Sequence, residues 1–177
     1  KLLRLVNVTL PALVSLMKEL CHVLFVCLGN ICRSPAGENI FRHQVEDLGL
    51  SDCIACDSAG TAGYHIGKSP DARMTKVMRN RGYQVTGGAR QFAPDDFNRF
   101  DLILTMDDDN YRDITSQARP DDERKRVRCF TDFCTEHEET EVPDPYYGGD
   151  EGFEFVADLI EDGSAGIIAH LRKTRGL

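Results

Sequence analysis

The feature that most narrows the fold of this chain is a ten-residue stretch, Val26 to Pro35, reading V-C-L-G-N-I-C-R-S-P. It continues an apolar run, Val23, Leu24, Phe25 and Val26, with the pattern of a short strand buried on both faces, here predicted over His22–Cys27. Gly29 bounds that strand. Ser34 is placed to cap a helix, with Pro35 at its first position, where a missing N–H is no loss. A buried strand, a tight loop and a helix therefore follow one another directly. The loop lies beyond the carboxyl end of the strand, where open parallel sheets bind their ligands.

The alternation continues along the chain. Phe41, Val45 and Leu48 give the first helix an apolar stripe, and Gly49 stops it. Cys53–Ser58 reads as a second strand, Gly60–Pro70 as a glycine-rich loop, and Asp71–Arg81 as a helix ended by Gly82. Phe100–Thr105 is a third strand, followed by a polar helix from about Asp107, and Arg126–Phe130 is a fourth. Glu151–Arg172 is a final helix with Phe155, Leu159 and Ile160 inward, and its G-S-A-G at 163–166 invites a break. Strands alternating with helices predict a parallel sheet covered on both faces, an α/β fold.

No repeat or linker divides residues 21–177, which read as one domain. Residues 1–20 read as an N-terminal extension of unknown role, of which residues 1–16 are an extra helix or a frayed segment. A signal peptide fits less well, because no A-x-A-like cleavage site precedes Cys21. Met17 is a natural start, and the N-V-T sequon at Asn7 is a chance match. The formal net charge of −8 disfavours a broad nucleic-acid surface, and no apolar run approaches the roughly 18 residues of a membrane span. Seven cysteines without a regular framework point to reduced thiols and a cytoplasmic protein. Cys53 and Cys56 form a C-x-x-C, but three residues apart on a strand they point to opposite faces, so they read as small hydrophobes rather than metal ligands.

The loop has the parts of a phosphate cradle. Backbone N–H groups from Leu28 through Gly29, Asn30, Ile31 and Cys32 to Arg33 can curl around phosphoryl oxygens, and the following helix adds its positive end. Arg33 can bind two oxygens through its planar fork. Cys27 is then a nucleophile in a positive field, which favours the reactive thiolate. The Ser34 hydroxyl can donate to its sulfur. Gly29 and Asn30 are residue types that tolerate left-handed backbone. Thiolate attack on phosphorus needs an acid for the leaving oxygen, and Asp144, set between two prolines in V-P-D-P-Y-Y-G, suits that role. Once ionised, it can activate water against the phosphocysteine.

With both motifs in hand, the chain resembles the low-molecular-weight protein tyrosine phosphatases over about residues 21–172. The resemblance rests on the cysteine loop, D-S-A-G-T at 57–61, G-K-S-P-D-A-R at 67–73, M-D at 106–107 and D-P-Y-Y-G at 144–148. It implies a three-layer αβα sandwich with a central four-stranded parallel sheet, of the phosphotyrosine phosphatase I-like type. It implies Cys27 as nucleophile, Arg33 as phosphate binder and Asp144 as general acid and base, with no metal or cofactor. Asn30 and Ser58 would brace the loop, and Asp107 would support Arg33 or the loop. Tyr64, Tyr146 and Tyr147 would wall a deep cleft that suits phosphotyrosine. Partners would be tyrosine-phosphorylated proteins, tyrosine kinases among them, with phosphate and other oxyanions as active-site ligands.

One departure from the family's pattern stands beside three alternatives. Gly87 and Gly88 stand before Ala89-Arg90-Gln91, where relatives often carry a histidine, so one brace of the loop is missing or replaced. Arsenate reductases of this scaffold need further redox cysteines, and residues 82–105 contain none. The protein-arginine phosphatase branch carries threonine where this chain has Ile31. A catalytically silent phosphoprotein-binding module is disfavoured by the presence of Cys27, Arg33 and Asp144 together. Cys32 is a candidate redox partner for Cys27, able to form a reversible disulfide that protects it from over-oxidation.

Overall fold

Four parallel strands lie in the order β2–β1–β3–β4, with β1 Cys21–Cys27, β2 Ile54–Gly60, β3 Leu102–Thr105 and β4 Val127–Cys129. The computed structural model describes residues 19–119 and 121–177. The expectations for residues 1–18, including the start at Met17 and the sequon at Asn7, lie outside the described residues. Among the described residues the helices are α1 Arg33–Asp47, α2 Ala72–Asn80, α3 Asp96–Arg99, α4 Asp108–Thr115, α5 Asp121–Lys125 and α6 Asp150–Arg175. None is long and apolar enough to cross a membrane.

The run V-L-F-V is continuous because β1 has a strand on each side and a packed layer on each face. Val23, Phe25 and Cys27 belong to the core shared with α1, α2 and α6, where Phe41, Phe130 and Phe153 are fully buried. Leu24 and Val26 belong to the opposite core, with Phe97, Ile103 and Ile114. Alternation of side chains along a strand makes both layers obligatory. The result is the three-layer α/β sandwich expected, and its register sets Cys27 opposite Gly60 at the end of the sheet.

Several boundaries differ from the sequence reading. Helix α1 starts at Arg33, so Ser34 is inside the first turn and does not cap it. Pro35 is then the third helical residue, still among the N–H positions that lack a helical partner. Leu48 is half exposed at the helix end. Gly49 takes a left-handed φ of 66° and returns the chain so that Leu50, donating to Val45 O at 2.9 Å, is the residue that goes inward. Cys53 precedes β2, so both cysteines of the C-x-x-C pack against one core instead of opposite faces, and burial pushes the Cys56 thiol up to about 12.

The G-S-A-G segment breaks nothing. Helix α6 runs unbroken across it because the helix lies directly on the 3₁₀ turn Phe130–Phe133. A Cβ at Gly163 would stand 2.3 Å from Phe130 Cε1, and one at Gly166 would stand 1.9 Å from Phe133 O. The tertiary contact outweighs the low helix propensity of glycine, about 1 kcal/mol per residue. Leu159 and Ile160 are buried as expected. Phe155 is not: it is 36% exposed and faces His137, with ring centroids 6.3 Å apart.

Candidate active site

The loop between β1 and α1 is held from outside by its carbonyls. Cys27 O accepts from Thr61 N at 2.8 Å, Leu28 O from Ala62 N at 2.9 Å, and Ile31 O from Asp71 N at 2.8 Å. A trans peptide points its N–H opposite to its C=O, so these peptides turn their N–H groups toward the concave side. Asn30 supplies the left-handed turn, with φ 53°. Gly29 is not left-handed. It is small because the His65 ring lies against it, 2.9 Å from where a Cβ would be.

Beneath the loop lies a buried polar chain. Ser34 Oγ is 3.0 Å from Cys27 Sγ and 3.2 Å from the carbonyl of Ala59. The single hydroxyl proton has two acceptors, so it can turn to the sulfur when Cys27 is a thiolate. The Asn30 amide donates both protons, to Ser34 Oγ and to Ser58 Oγ, each at 2.9 Å, and its oxygen accepts from Arg90 N at 2.9 Å. Ser58 donates in turn to Glu38 Oε2 at 2.5 Å, and the other Glu38 oxygen pairs with Arg42.

Glu38 was not picked out from the sequence, although it stands one helical turn after Ser34 and one before Arg42, on one side of α1. Burial pushes its carboxyl above the usual range, against the pull of Ser58 and Arg42. A Cβ at Gly87 would be 3.9 Å from both Glu38 oxygens. With no side chain at Gly87, Glu38 is left to Ser58 and Arg42.

Arg33 is 3% exposed and fully engaged on one edge. Nη1 donates to Asp107 Oδ2 at 2.6 Å and to Val142 O at 3.1 Å, while Nη2 donates to Asp144 Oδ2 at 2.9 Å. Asp107 is shared, because its second oxygen caps α4 by accepting from Asn110 N at 2.7 Å. The cap fixes the carboxylate, and the carboxylate fixes the guanidinium. Asp144 Oδ1 accepts from Tyr146 N at 3.0 Å, which orients the acid from its own loop.

Cys27, Leu28, Gly29, Ile31, Cys32 and Arg33 share one cleft with Tyr64, Asp144, Tyr146 and Tyr147, and His65 completes its wall. Asn30 and Ser34 lie under its floor, and Ser58 and Asp107 stand behind them, bonded as described. His65 was missed in the sequence; its one signal is a place beside Tyr64 in the glycine-rich loop. Tyr64 and Tyr147 are 75% and 95% exposed, and Tyr147 meets Tyr146 edge to face at 5.0 Å. Cys32 is buried, and burial, followed by the charges of Asp71, Cys27 and Asp144, pushes its thiol well up, against Arg73. It lines the same cleft as Cys27.

A family model for low molecular weight phosphotyrosine protein phosphatase matches residues 22–176. A protein of the cyanobacterium Synechocystis that bears the low molecular weight protein-tyrosine-phosphatase name is 54% identical over 151 residues, covering 85% of this chain and 96% of the relative. The human low molecular weight phosphotyrosine protein phosphatase is 42% identical over 137 residues, covering 76% and 85%. The crystal structure of a protein tyrosine phosphatase from Entamoeba histolytica, with Hepes in its active site, superposes with a TM-score of 0.84 at 44% identity, covering 86% of this chain and 97% of that one.

Proposed function

The chain belongs to the low molecular weight phosphotyrosine protein phosphatase family, and from that premise we propose that it hydrolyses phosphotyrosine monoesters through a phosphocysteine intermediate. The observation that carries this reading is the convergence at Arg33. One buried guanidinium, held by Asp107, contacts Asp144 in the cleft that Cys27 floors.

The phosphoryl dianion sits in the N–H cradle and takes over the Nη2 contact, which frees the Asp144 carboxyl to turn, protonated, to the ester oxygen. The Cys27 thiolate forms the S–P bond as the P–O bond to the tyrosine ring breaks, and the Asp144 proton goes to the departing phenolate. In the second step water attacks phosphorus and gives a proton to Asp144. The S–P bond breaks, and Cys27 leaves as a thiolate that accepts a hydrogen bond from the Ser34 hydroxyl. Arg33 and the cradle stabilise the charge on the equatorial oxygens in both steps. The cleft walls Tyr64, Tyr146 and Tyr147 favour a flat aryl ester, and Ile31 in the loop accords with tyrosine rather than arginine phosphate. The substrates are tyrosine-phosphorylated proteins.

The test is kinetic. Cys27→Ser abolishes turnover of p-nitrophenyl phosphate, a loss of roughly 10⁴-fold or more, while inorganic phosphate still binds. Asp144→Ala lowers kcat/KM by roughly 10²–10⁴-fold for poor leaving groups and much less for good ones. Full activity of Cys27→Ser would falsify the mechanism, and an Asp144→Ala loss equal for all leaving groups removes Asp144 as the acid.

A further inference from the structure

Arg73 lies outside the chemistry described above, yet it touches three of the elements that frame the cleft. Its Nε and Nη2 hold the two oxygens of Asp71 at 3.2 and 3.0 Å. Asp71 caps α2, and its backbone N–H is the one bonded to Ile31 O of the phosphate loop. The remaining edge of the guanidinium, Nη1, donates to the carbonyl of Tyr146 at 3.1 Å. Its face lies 5.3 Å from the centroid of the Tyr146 ring and 4.5 Å from that of Phe153, which is fully buried in α6. The same residue, Tyr146, donates its N–H to Asp144.

We propose that Arg73 is a positioning residue for Asp144. A continuous set of contacts runs from Ile31 through Asp71, Arg73 and Tyr146 to Asp144, so the distance between phosphate loop and acid loop is set by one planar side chain. The need for it is physical. Segment 142–148 is anchored at its start, where Val142 donates to Met106 O and accepts from Arg33, but Asp144 is 40% exposed and Tyr147 stands almost free in solvent. A carboxyl that must reach the ester oxygen from such a segment needs a second anchor beyond it, and Tyr146 is that anchor. Lysine cannot replace the fork, because one ammonium cannot stack on two rings while bonding a carboxylate and a carbonyl in fixed directions.

The inference rests on Asp144 being the acid, and the experiment separates the two. Measure kcat/KM, which reports steps up to departure of the first product, for aryl phosphates of increasing leaving-group pKa, in Arg73→Met, Arg73→Lys, Asp144→Ala and Arg73→Met/Asp144→Ala. Methionine keeps the apolar contact with Phe153 and removes the hydrogen bonds. The expected result for Arg73→Met is a loss of roughly 10–100-fold with the poorest leaving group, the scale of a small misplacement of a reacting group, shrinking to about two-fold with the best. Arg73→Lys recovers only part of it. In the Asp144→Ala background the Arg73→Met loss falls below about three-fold, because there is no acid left to position.

A uniform loss across leaving groups, or an undiminished loss without Asp144, overturns the proposal and makes Arg73 a structural brace. No loss at all overturns it equally. Absence of leaving-group dependence in Asp144→Ala itself strikes the acid assignment instead. Thermal unfolding of each variant accompanies the rates, and should Arg73→Met not fold, Arg73→Lys in both backgrounds carries the same comparison.

Discussion

Two polar regions of this molecule have bonds of similar length and opposite settings. Under the loop between β1 and α1, Asn30, Ser34, Ser58 and Arg33 are 5% exposed or less. On the polar side of α6, Arg81 is held by Glu154, Asp158 and Glu161 at 2.7, 2.7 and 3.1 Å, but those carboxylates are 50%, 49% and 33% exposed. Water can replace any partner in the second region and few in the first. Removing one partner from a buried set leaves another group unsatisfied at about 1–3 kcal/mol, whereas exposed ion pairs contribute about 0–1 kcal/mol. A buried polar cluster is also no better for stability than well-packed apolar residues. Its presence under Cys27 is therefore explained by the geometry it imposes on the loop, while the α6 pairs only decorate a surface.

Asn30→Ala should break the buried region most widely. It strips donors from Ser34 and Ser58 and the acceptor from Arg90 N, and puts an alanine at φ 53°, which costs about 1–2 kcal/mol by itself. The expected loss is about 3 kcal/mol in urea unfolding, with turnover lowered by at least about tenfold. Unchanged turnover at reduced stability would show that the network supports the fold and not the loop.

Asp162 sharpens the comparison from the α6 side, because its side chain is only 7% exposed among more exposed neighbours. Burial pushes its carboxyl up, but hydrogen bonds from the Thr135, Glu136 and His137 N–H groups, the Thr135 hydroxyl and the His137 ring prevail and hold it at about 2, below the ordinary 3.8. A depressed carboxyl stabilises the fold above its unfolded value, and that contribution, about 2 kcal/mol, is lost as pH falls from about 4 to about 2. Asp162→Asn should flatten this part of the acid stability curve, and a variant whose curve keeps the wild-type slope refutes the assignment.

Arg81→Ala should have the smallest effect. Despite three carboxylate partners, it is expected to cost about 1 kcal/mol, less at high salt, and to leave turnover within about two-fold. A salt-independent loss of about 3 kcal/mol or more would place this cluster with the buried one.

Legibility in the sequence followed the range of the interaction. Ser34 beside Cys27, Asn30 at the tight curl and Asp107 as a helix start were readable because each acts within a few residues of itself. Glu38, His65 and Arg73 were not singled out, since a glutamate, a histidine and an arginine at such positions read as ordinary surface until their partners are known. The same holds for G-S-A-G at 163–166: locally a helix breaker, it is in fact the place where a helix backbone touches Phe130 and Phe133.

By itself the sequence determined the strand–loop–helix unit and the parallel α/β class, and it set Cys27 and Arg33 at the two ends of that loop, because local sterics and side-chain alternation act between neighbours along the chain. Only the tertiary structure decided how Asp107 and Asp144 meet Arg33, one on each terminal nitrogen, since they lie 74 and 111 residues away and are brought there by sheet register and by the packing of α6. It also decided that Glu38 would turn to Ser58 and Arg42 opposite Gly87, and that Arg73 would join two loops. Such contacts depend on distances through space, which side-chain periodicity along the chain does not encode.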